Sequence, residues 1–305
     1  MRISEIANMP GEGMPFTASI VETRAGQWTE GWLQAPVVRV EDCSGRAGLL
    51  LPRMLEHRLP ELVSGAVIAG TADFVHYGWG LGGWLRQWQV MEACTVPNIM
   101  AVQPVSRCPD GARAALLDLS NAIDALQTAA VRDAVNGMLM TVLPELLTAG
   151  ASYQYHHAGA GGLLEHTVET ALLARDEARE CFPAEPWRVD TVFLLALMHD
   201  IAKAHVQRAD AGNPVIKSAH HEIGSMALAA PVLMRLGDAH PQAGRLAGTV
   251  LRWMLKGKLY MPDFACPEGE IIRMADQTSV RRDRCRRPAL VSANDDHFAI
   301  AVNNA

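Results

Sequence analysis

A chain of 305 residues exceeds what one core commonly organises, and 49% hydrophobic with 20% charged residues is the composition of a soluble globular protein of two domains. Its net charge of −6 excludes a global polyanion-binding surface, so any such site must be a local patch. No apolar run reaches the ~20 residues of a bilayer span, the start MRISEIANMPGEG lacks a secretory pattern, and the six cysteines (43, 94, 108, 181, 266, 285) form no CxxC pair, which excludes a zinc ribbon or disulfide framework.

Reduced thiols, a cytoplasmic location and no membrane contact are therefore expected. The first 96 residues read as β-rich. FTASIVETRAG (16–26) and WLQAPVVRVED (32–42) have strand content, and Asp42-Cys43-Ser44-Gly45 is a turn leading into RAGLLLP (46–52). LPELVSGAVIAGTADFVHY (59–77) reads as a short helical piece, a glycine turn and a strand. WLRQWQVMEA (84–93) is a further strand, with Trp84 and Trp88 at even spacing and so on one face. Strands with one short helix before the fourth predict a small barrel of the OB type, although another small β-barrel leaves a similar trace. PNIMAVQPVSRCPDG (97–111), with three prolines and a glycine, is the expected linker. From 112 to 287 the apolar period is helical throughout, and 288–305 is a weakly patterned tail. The fold class is thus α+β and multidomain, an OB-like barrel followed by an all-α domain. Near its end Arg281, Arg282, Arg284, Arg286 and Arg287 form either a local basic patch or a solvated run.

Seven of the eleven histidines fall between 156 and 221: His156, His157, His166, His199, His205, His220 and His221. A lone histidine beside apolar residues is commonly a satisfied core residue, but here several lie at the ends or first turns of successive helices. His199 and Asp200 end the oily run TVFLLALM, where a polar pair is out of place. Adjacent helical residues point about 100° apart, so both reach one ion only if the helix end faces it. His166 and Asp276 are the candidate partners, Asp276 because a carboxylate in IIRMAD needs a counter-group. Imidazole with carboxylate suits a divalent ion such as Mn, Fe, Zn or Ni, or Mg where oxygen dominates. Buried polar pairs without a metal are the alternative.

HHAGAGGLLEH (156–166), LMHDIAK (197–203) and MAD (274–276) together resemble the HD superfamily of metal-dependent phosphohydrolases. The first string is more particular and resembles the YhaM-type 3′–5′ exoribonucleases, which join an N-terminal OB domain to an HD domain. It also occurs in the HD-like region of relaxases of integrating elements. The resemblance implies His166, His199, Asp200 and Asp276 as metal ligands of one divalent ion (Mn, Fe, Mg or Ni), with catalytic roles for Asp200 and Lys203. Lys203 matches the HDxxK lysine, whose ammonium would offset charge on a metal-bound phosphate; a helix C-terminal lysine favoured by the dipole is the plainer reading. His157 and His220 match further histidines of the family, in phosphate contact or behind the ligands.

One departure concerns a second ion. Two-metal members carry a His-His pair in a segment that aligns here with VLRWMLKGKLYMP (250–262), placing Leu255 and Lys256 at the pair. Leucine cannot ligate, and a lysine ammonium repels a cation but can hold phosphate.

The expected activity is hydrolysis of phosphodiester bonds in single-stranded RNA or DNA from the 3′ end. Trp28, Trp32, Trp79, Trp84 and Trp88, five of the seven tryptophans, fall in the barrel and are the candidate stacking residues, some of which must be core. A binding module without catalysis, attached to mobile-element DNA processing, is the alternative, as is a nucleotide phosphohydrolase, which leaves the barrel without a role. The resembling exonucleases are compatible with a homo-oligomer.

Overall fold

Period-two burial along five segments produces the N-terminal unit. The computed structural model describes residues 1–24, 35–152, 156–204, 218–256 and 266–286. β1 (Met14–Arg24), β2 (Val37–Glu41), β3 (Arg46–Leu50), β4 (Val67–Tyr77) and β5 (Gly80–Met91) close into a barrel in the order β1-β2-β3-β5-β4, with β1 also paired to β4. All pairings are antiparallel except β3 with β5. This is the five-stranded barrel expected of an OB-type domain. Inward residues such as Ile20, Val38, Val40, Leu49, Ile68 and Leu85 are fully buried, each contributing about 1.5–3 kcal/mol of apolar transfer free energy. Phe16 and Phe74 meet edge to face at 5.8 Å in the same core. Two plugs add to it: Ile3 and Ile6 from α1 (Ile3–Asn8), and Leu55, Leu59 and Leu62 from the 3₁₀ segment Arg53–Glu61 and its cap.

The structure corrects the even-spacing reading of Trp84 and Trp88. The β4–β5 register runs Thr71↔Gln87 and then Ala72↔Leu85, so Arg86 is an extra residue, a bulge that reverses which face the following residues point to. Leu85 and Trp88 therefore both join the core, Trp88 only 5% exposed beneath the Arg58 guanidinium, and Trp84 stays half-buried outside it. Trp88 is a core residue and is not available for base stacking. Trp79 sits at the β4–β5 turn and is 46% exposed. Trp28 and Trp32 lie outside the described residues.

The chain divides into two compact units, Met1–Leu126 with Val135–Thr141, and Gln127–Ala134 with Val142–Ala305. The Pro-rich stretch 97–111 packs within the first. Met100 and Val102 are buried there, and the Asn98 amide donates to the Ser120 carbonyl at 2.8 Å, tying the stretch to α2 (Arg113–Asp124).

α3 (Ala129–Thr148) contributes to both units. The second unit continues with α4 (Gly162–Cys181), α5 (Pro186–Met198), α6 (Ser218–Ala239), α7 (Pro241–Lys256) and α8 (Pro267–Arg286), and its described elements are all helical. α5 is buried at every residue from Val189 to Met198 and packs on α4, α7 and α8. A helix buried all round is a central core helix; Asp190 within it accepts from the Gln127 and Thr128 amides, and its C-terminal end leads into His199 and Asp200. Among the described residues no helix is long and apolar enough to cross a membrane. All six cysteines are free thiols, with Cys43, Cys108 and Cys266 buried.

One buried carboxylate holds the barrel unit's turn and its N-terminal helix together. Asp42, 1% exposed, accepts from Ile3 N–H at 2.7 Å, from Ser44 N–H and Oγ–H at 2.7 Å each, and from Gly45 N–H at 2.9 Å. Asp42→Ala strands these donors, each costing about 1–3 kcal/mol where water cannot replace the partner. The urea midpoint is expected to fall by the equivalent of about 3 kcal/mol with an unchanged slope, and Asp42→Asn by less.

Candidate metal centre

The first ligand-bearing segment owes its position to two glycines. Gly161 has φ 78° and forms the N-cap of α4, and an added Cβ on Gly162 would lie 2.0 Å from the His157 carbonyl oxygen. The backbone of His157, itself at φ 45°, thus lies directly against the first turn of α4, bringing His156 and His157 beside His166. The first amides of α4 are satisfied by the end of α3 and the loop: Leu163 N–H donates to Ala149 O, and Gly162 N–H to Gly159 O, at 2.9 Å each.

His199 and Asp200 follow the last residue of α5, with His199 still in helical backbone at the C-cap. His199 Nδ1 is 2.6 Å from the carbonyl oxygen of Ala196. A carbonyl only accepts, so Nδ1 carries the proton and Nε2 keeps a lone pair. Asp200 is 9% exposed, and Lys203 Nζ donates to its Oδ2 at 2.5 Å. α8 supplies Asp276.

These groups meet at one point. His166 Nε2 lies 3.3 Å from His199 Nε2, 3.5 Å from Asp200 Oδ2 and 3.2 Å from Asp276 Oδ1. His199 Nε2 is 3.5 Å from Asp200 Oδ2 and 3.8 Å from Asp276 Oδ1. Donors held about 2.0–2.2 Å from one ion stand about 3 Å apart at right angles. His166, His199 and Asp276 form a group that could hold a divalent cation, and Asp200 Oδ2 stands 3.5 Å from Nε2 of both imidazoles.

Without a cation the cluster shares protons. Burial opposes charge on His166, but hydrogen bonds to Asp200 and Asp276 outweigh it and raise its pKa above the ordinary value. Burial likewise pushes Asp276 up, yet its hydrogen bond to His166 and the charge of His199 bring it below the usual carboxylate range.

Behind His166 lies a second layer that the sequence did not single out. His166 Nδ1 is 3.1 Å from Ser279 Oγ, and Ser279 Oγ–H donates to Glu169 Oε2 at 2.7 Å. The serine oxygen therefore accepts from Nδ1–H and leaves Nε2 bare for an ion, as metal-bound histidines commonly require. Arg282 and Arg286 each reach Glu169 at 3.4 Å, so part of the C-terminal basic run is occupied in this layer, while Arg281 and Arg284 are exposed. His157 is 2% exposed and belongs to this side as well. Its amide donates to Asp283 Oδ2 at 2.9 Å, and burial, opposed by the Asp283 charge, lowers its imidazole to about 4. Glu169 is three residues after His166 and Ser279 three after Asp276, the spacing that puts side chains on one helix face. That spacing was the available signal.

The structure thus brings together His166, His199, Asp200, Asp276 and Lys203, with His157 one layer back. His220 and Lys256 lie in α6 and α7, but their side chains fall outside the described set, as does that of Leu255. Arg287 is also outside it.

A model of the HD domain family matches residues 163–279. HD domains are metal-dependent phosphohydrolases, and that activity class is what the match carries to the chain. The matched span encloses His166, His199, Asp200, Asp276 and Ser279; His156 and His157 lie upstream of it. No curated protein matches the chain.

Two outcomes follow. Ser279→Ala frees the His166 ring and should weaken Mn²⁺ binding about 10–100-fold with little loss of fold, read by calorimetry. Because His166 holds its proton to a higher pH than an ordinary imidazole, a cation must displace that proton. Affinity should therefore climb as pH rises from about 6 to 8, and titrations in buffers of different ionisation enthalpy should report proton release at the lower end.

Proposed function

We propose that the protein is a metal-dependent phosphodiesterase of single-stranded nucleic acid, working from the 3′ end as an exonuclease. The observation that carries the substrate class is a groove of about 1030 Å³ on the barrel, lined by Arg24, Arg39, Arg46, His76 and Trp79. Trp79 stacks on Tyr77 with centroids 5.1 Å apart and ring planes within 6°. Its outer edge rests on glycine, since a Cβ on Gly82 or Gly48 would come 2.5 or 3.1 Å from Trp79 Cη2. A flat ring held by a second ring, among guanidinium groups, is the combination that binds bases by stacking and phosphates by charge. Among the described residues the aromatic candidates narrow to Trp79, with Trp88 in the core and Trp84 half-buried.

In the second unit, Nε2 of His166 and of His199 and the carboxylates of Asp200 and Asp276 would hold the divalent ion. When bound, such an ion polarises a phosphoryl oxygen and lowers the pKa of a bound water. The chain's own groups do the rest. Ala196 O and Ser279 Oγ fix both imidazole tautomers. Lys203, already on Asp200, sits where an ammonium offsets negative charge developing on phosphate. Lys203 would then stand as one cation between two anions, the Asp200 carboxylate and the scissile phosphate.

A binding module without catalysis is the second reading, favoured by Leu255 and Lys256 at the place of the family's His-His pair. Incubation of 5′-labelled single strands with Mn²⁺ separates the two. Progressive shortening from the 3′ end, abolished in Asp200→Ala, is expected; cleavage retained in that variant sinks the assigned site. Strand binding that survives EDTA, with no product under any metal, selects the second reading. Trp79→Ala should raise KM about tenfold with a smaller effect on kcat, since stacking contributes about 1–3 kcal/mol per base. RNA and DNA run side by side identify the sugar preference.

A further inference from the structure

The Pro-rich stretch 97–111 is fastened along the end of the β2–β3 turn. Val105 N–H donates to Asp42 O and Cys43 N–H to Ala101 O, at 3.1 Å each. Ser106 N–H donates to Glu41 Oε2 at 3.0 Å. Between this stretch, the β2–β3 turn and the first turn of α2 lies a second cleft of about 520 Å³, with Arg46 and Arg113 in its lining. Nothing in the proposed activity uses it so far.

Arg46 also lines the barrel groove, so the two clefts meet at its side chain. Side chains alternate along a strand. In β3, Ala47 and Leu49 are buried while Arg46 and Gly48 face outward. Arg46 therefore stands on the outer face where the Trp79 indole lies over Gly48, two residues or about 7 Å along the strand. β2 extends that face, with Arg39 opposite Gly48 and Glu41 opposite Arg46. Arg39 is exposed, whereas Glu41 is only 2% exposed, and its carboxylate is committed to the Ser106 amide in the cleft wall.

Both guanidinium groups are open to an anion. Among the described residues Arg46 has no ion pair, and Arg113 pairs with Asp110 at 2.7 Å, a carboxylate 87% exposed. Such an exposed pair contributes little.

We propose that this cleft is a phosphate subsite of the bound strand, in which Arg46 and Arg113 hold the backbone beyond the base stacked on Trp79. This rests on the strand-binding reading of the barrel groove. Guanidinium groups bind phosphate through paired N–H donors. Contacts of this kind position a strand without reading its bases, so the subsite adds length dependence and no sequence preference. The 7 Å between Gly48 and Arg46 corresponds to about two nucleotides of a strand rising ~3.4 Å per nucleotide.

Fluorescence anisotropy of end-labelled homopolymer strands on the full chain, in EDTA to prevent cleavage, tests the subsite. Arg113→Ala should bind a decanucleotide about three- to tenfold more weakly and lower the slope of log affinity against log salt by about 0.7, the loss of one phosphate contact. Asp110→Asn, which releases the Arg113 guanidinium, should tighten the same strand. In a length series, wild-type affinity should go on rising about two nucleotides past the length at which Arg113→Ala levels off. Unchanged affinity and salt slope in an Arg113→Ala variant with wild-type circular dichroism would overturn the subsite. Inorganic phosphate probes for a free-anion site and should compete with the strand only at millimolar concentration. Micromolar competition that Arg113→Ala abolishes would overturn the strand assignment. Trp79→Ala is the separate control and should weaken strands of every length. If it binds as wild type does, the groove reading fails and the subsite with it; if it is weakened while Arg113→Ala is not, the subsite alone falls.

Discussion

The second unit depends on one buried imidazole that must face two ways. His166 is wholly inaccessible to water, and each of its ring nitrogens is committed. Nδ1 leans on Ser279, itself tied to Glu169, and Nε2 opens onto three other donors. Two carboxylates and two imidazoles gathered at the end of a buried core helix would be expensive to desolvate unless charge of the opposite sign joined them. Shared protons supply that charge when no cation is present, and a divalent ion supplies it more fully. The raised pKa of His166 and the lowered one of Asp276 express the same need from the two partners' sides.

Backbone geometry is the other requirement. His157 adopts a left-handed conformation that a histidine enters at some energetic cost, commonly 1–3 kcal/mol for non-glycine residues held there. Its amide bond to Asp283 and the close approach of its carbonyl to Gly162 hold it in place. Any side chain at 162 would push this turn off the start of α4 and carry both histidines away from His166. The paired glycines of HHAGAGGLLEH are thus a spacing device, and the histidines around them depend on that device for their position.

Local pattern carried much of this architecture. The strands of the barrel, the helical period after 112 and the His-Asp pair at the end of an oily helix are all short-range signals, and they match the observed elements. The position of Trp88 was not legible, because one extra residue at Arg86 reverses the face of everything beyond it, and a bulge is decided by the partner strand. Ser279 and Glu169 were equally hidden: a single serine and a single glutamate on helical faces look like ordinary surface polarity until the facing helix is known. Met100 and Val102 show the same limit, since prolines nearby gave their stretch the appearance of a linker while burial against the first unit decided its structure.

A chain of net charge −6 can still hold a polyanion, because at physiological salt fields between exposed charges fade within about 8 Å. What the proposed strand would meet in the barrel groove is local: Arg24, Arg39 and Arg46, with Glu22 the carboxylate among them. Glu22 lies 2.5 Å from Arg24 and 3.2 Å from Arg39. Such exposed pairs contribute little, so exchanging the carboxylate for the phosphate of the proposed strand would cost little. Trp79 is held in a comparable way, by a ring on one side and glycine at its edge, so the indole has little ordering entropy still to lose.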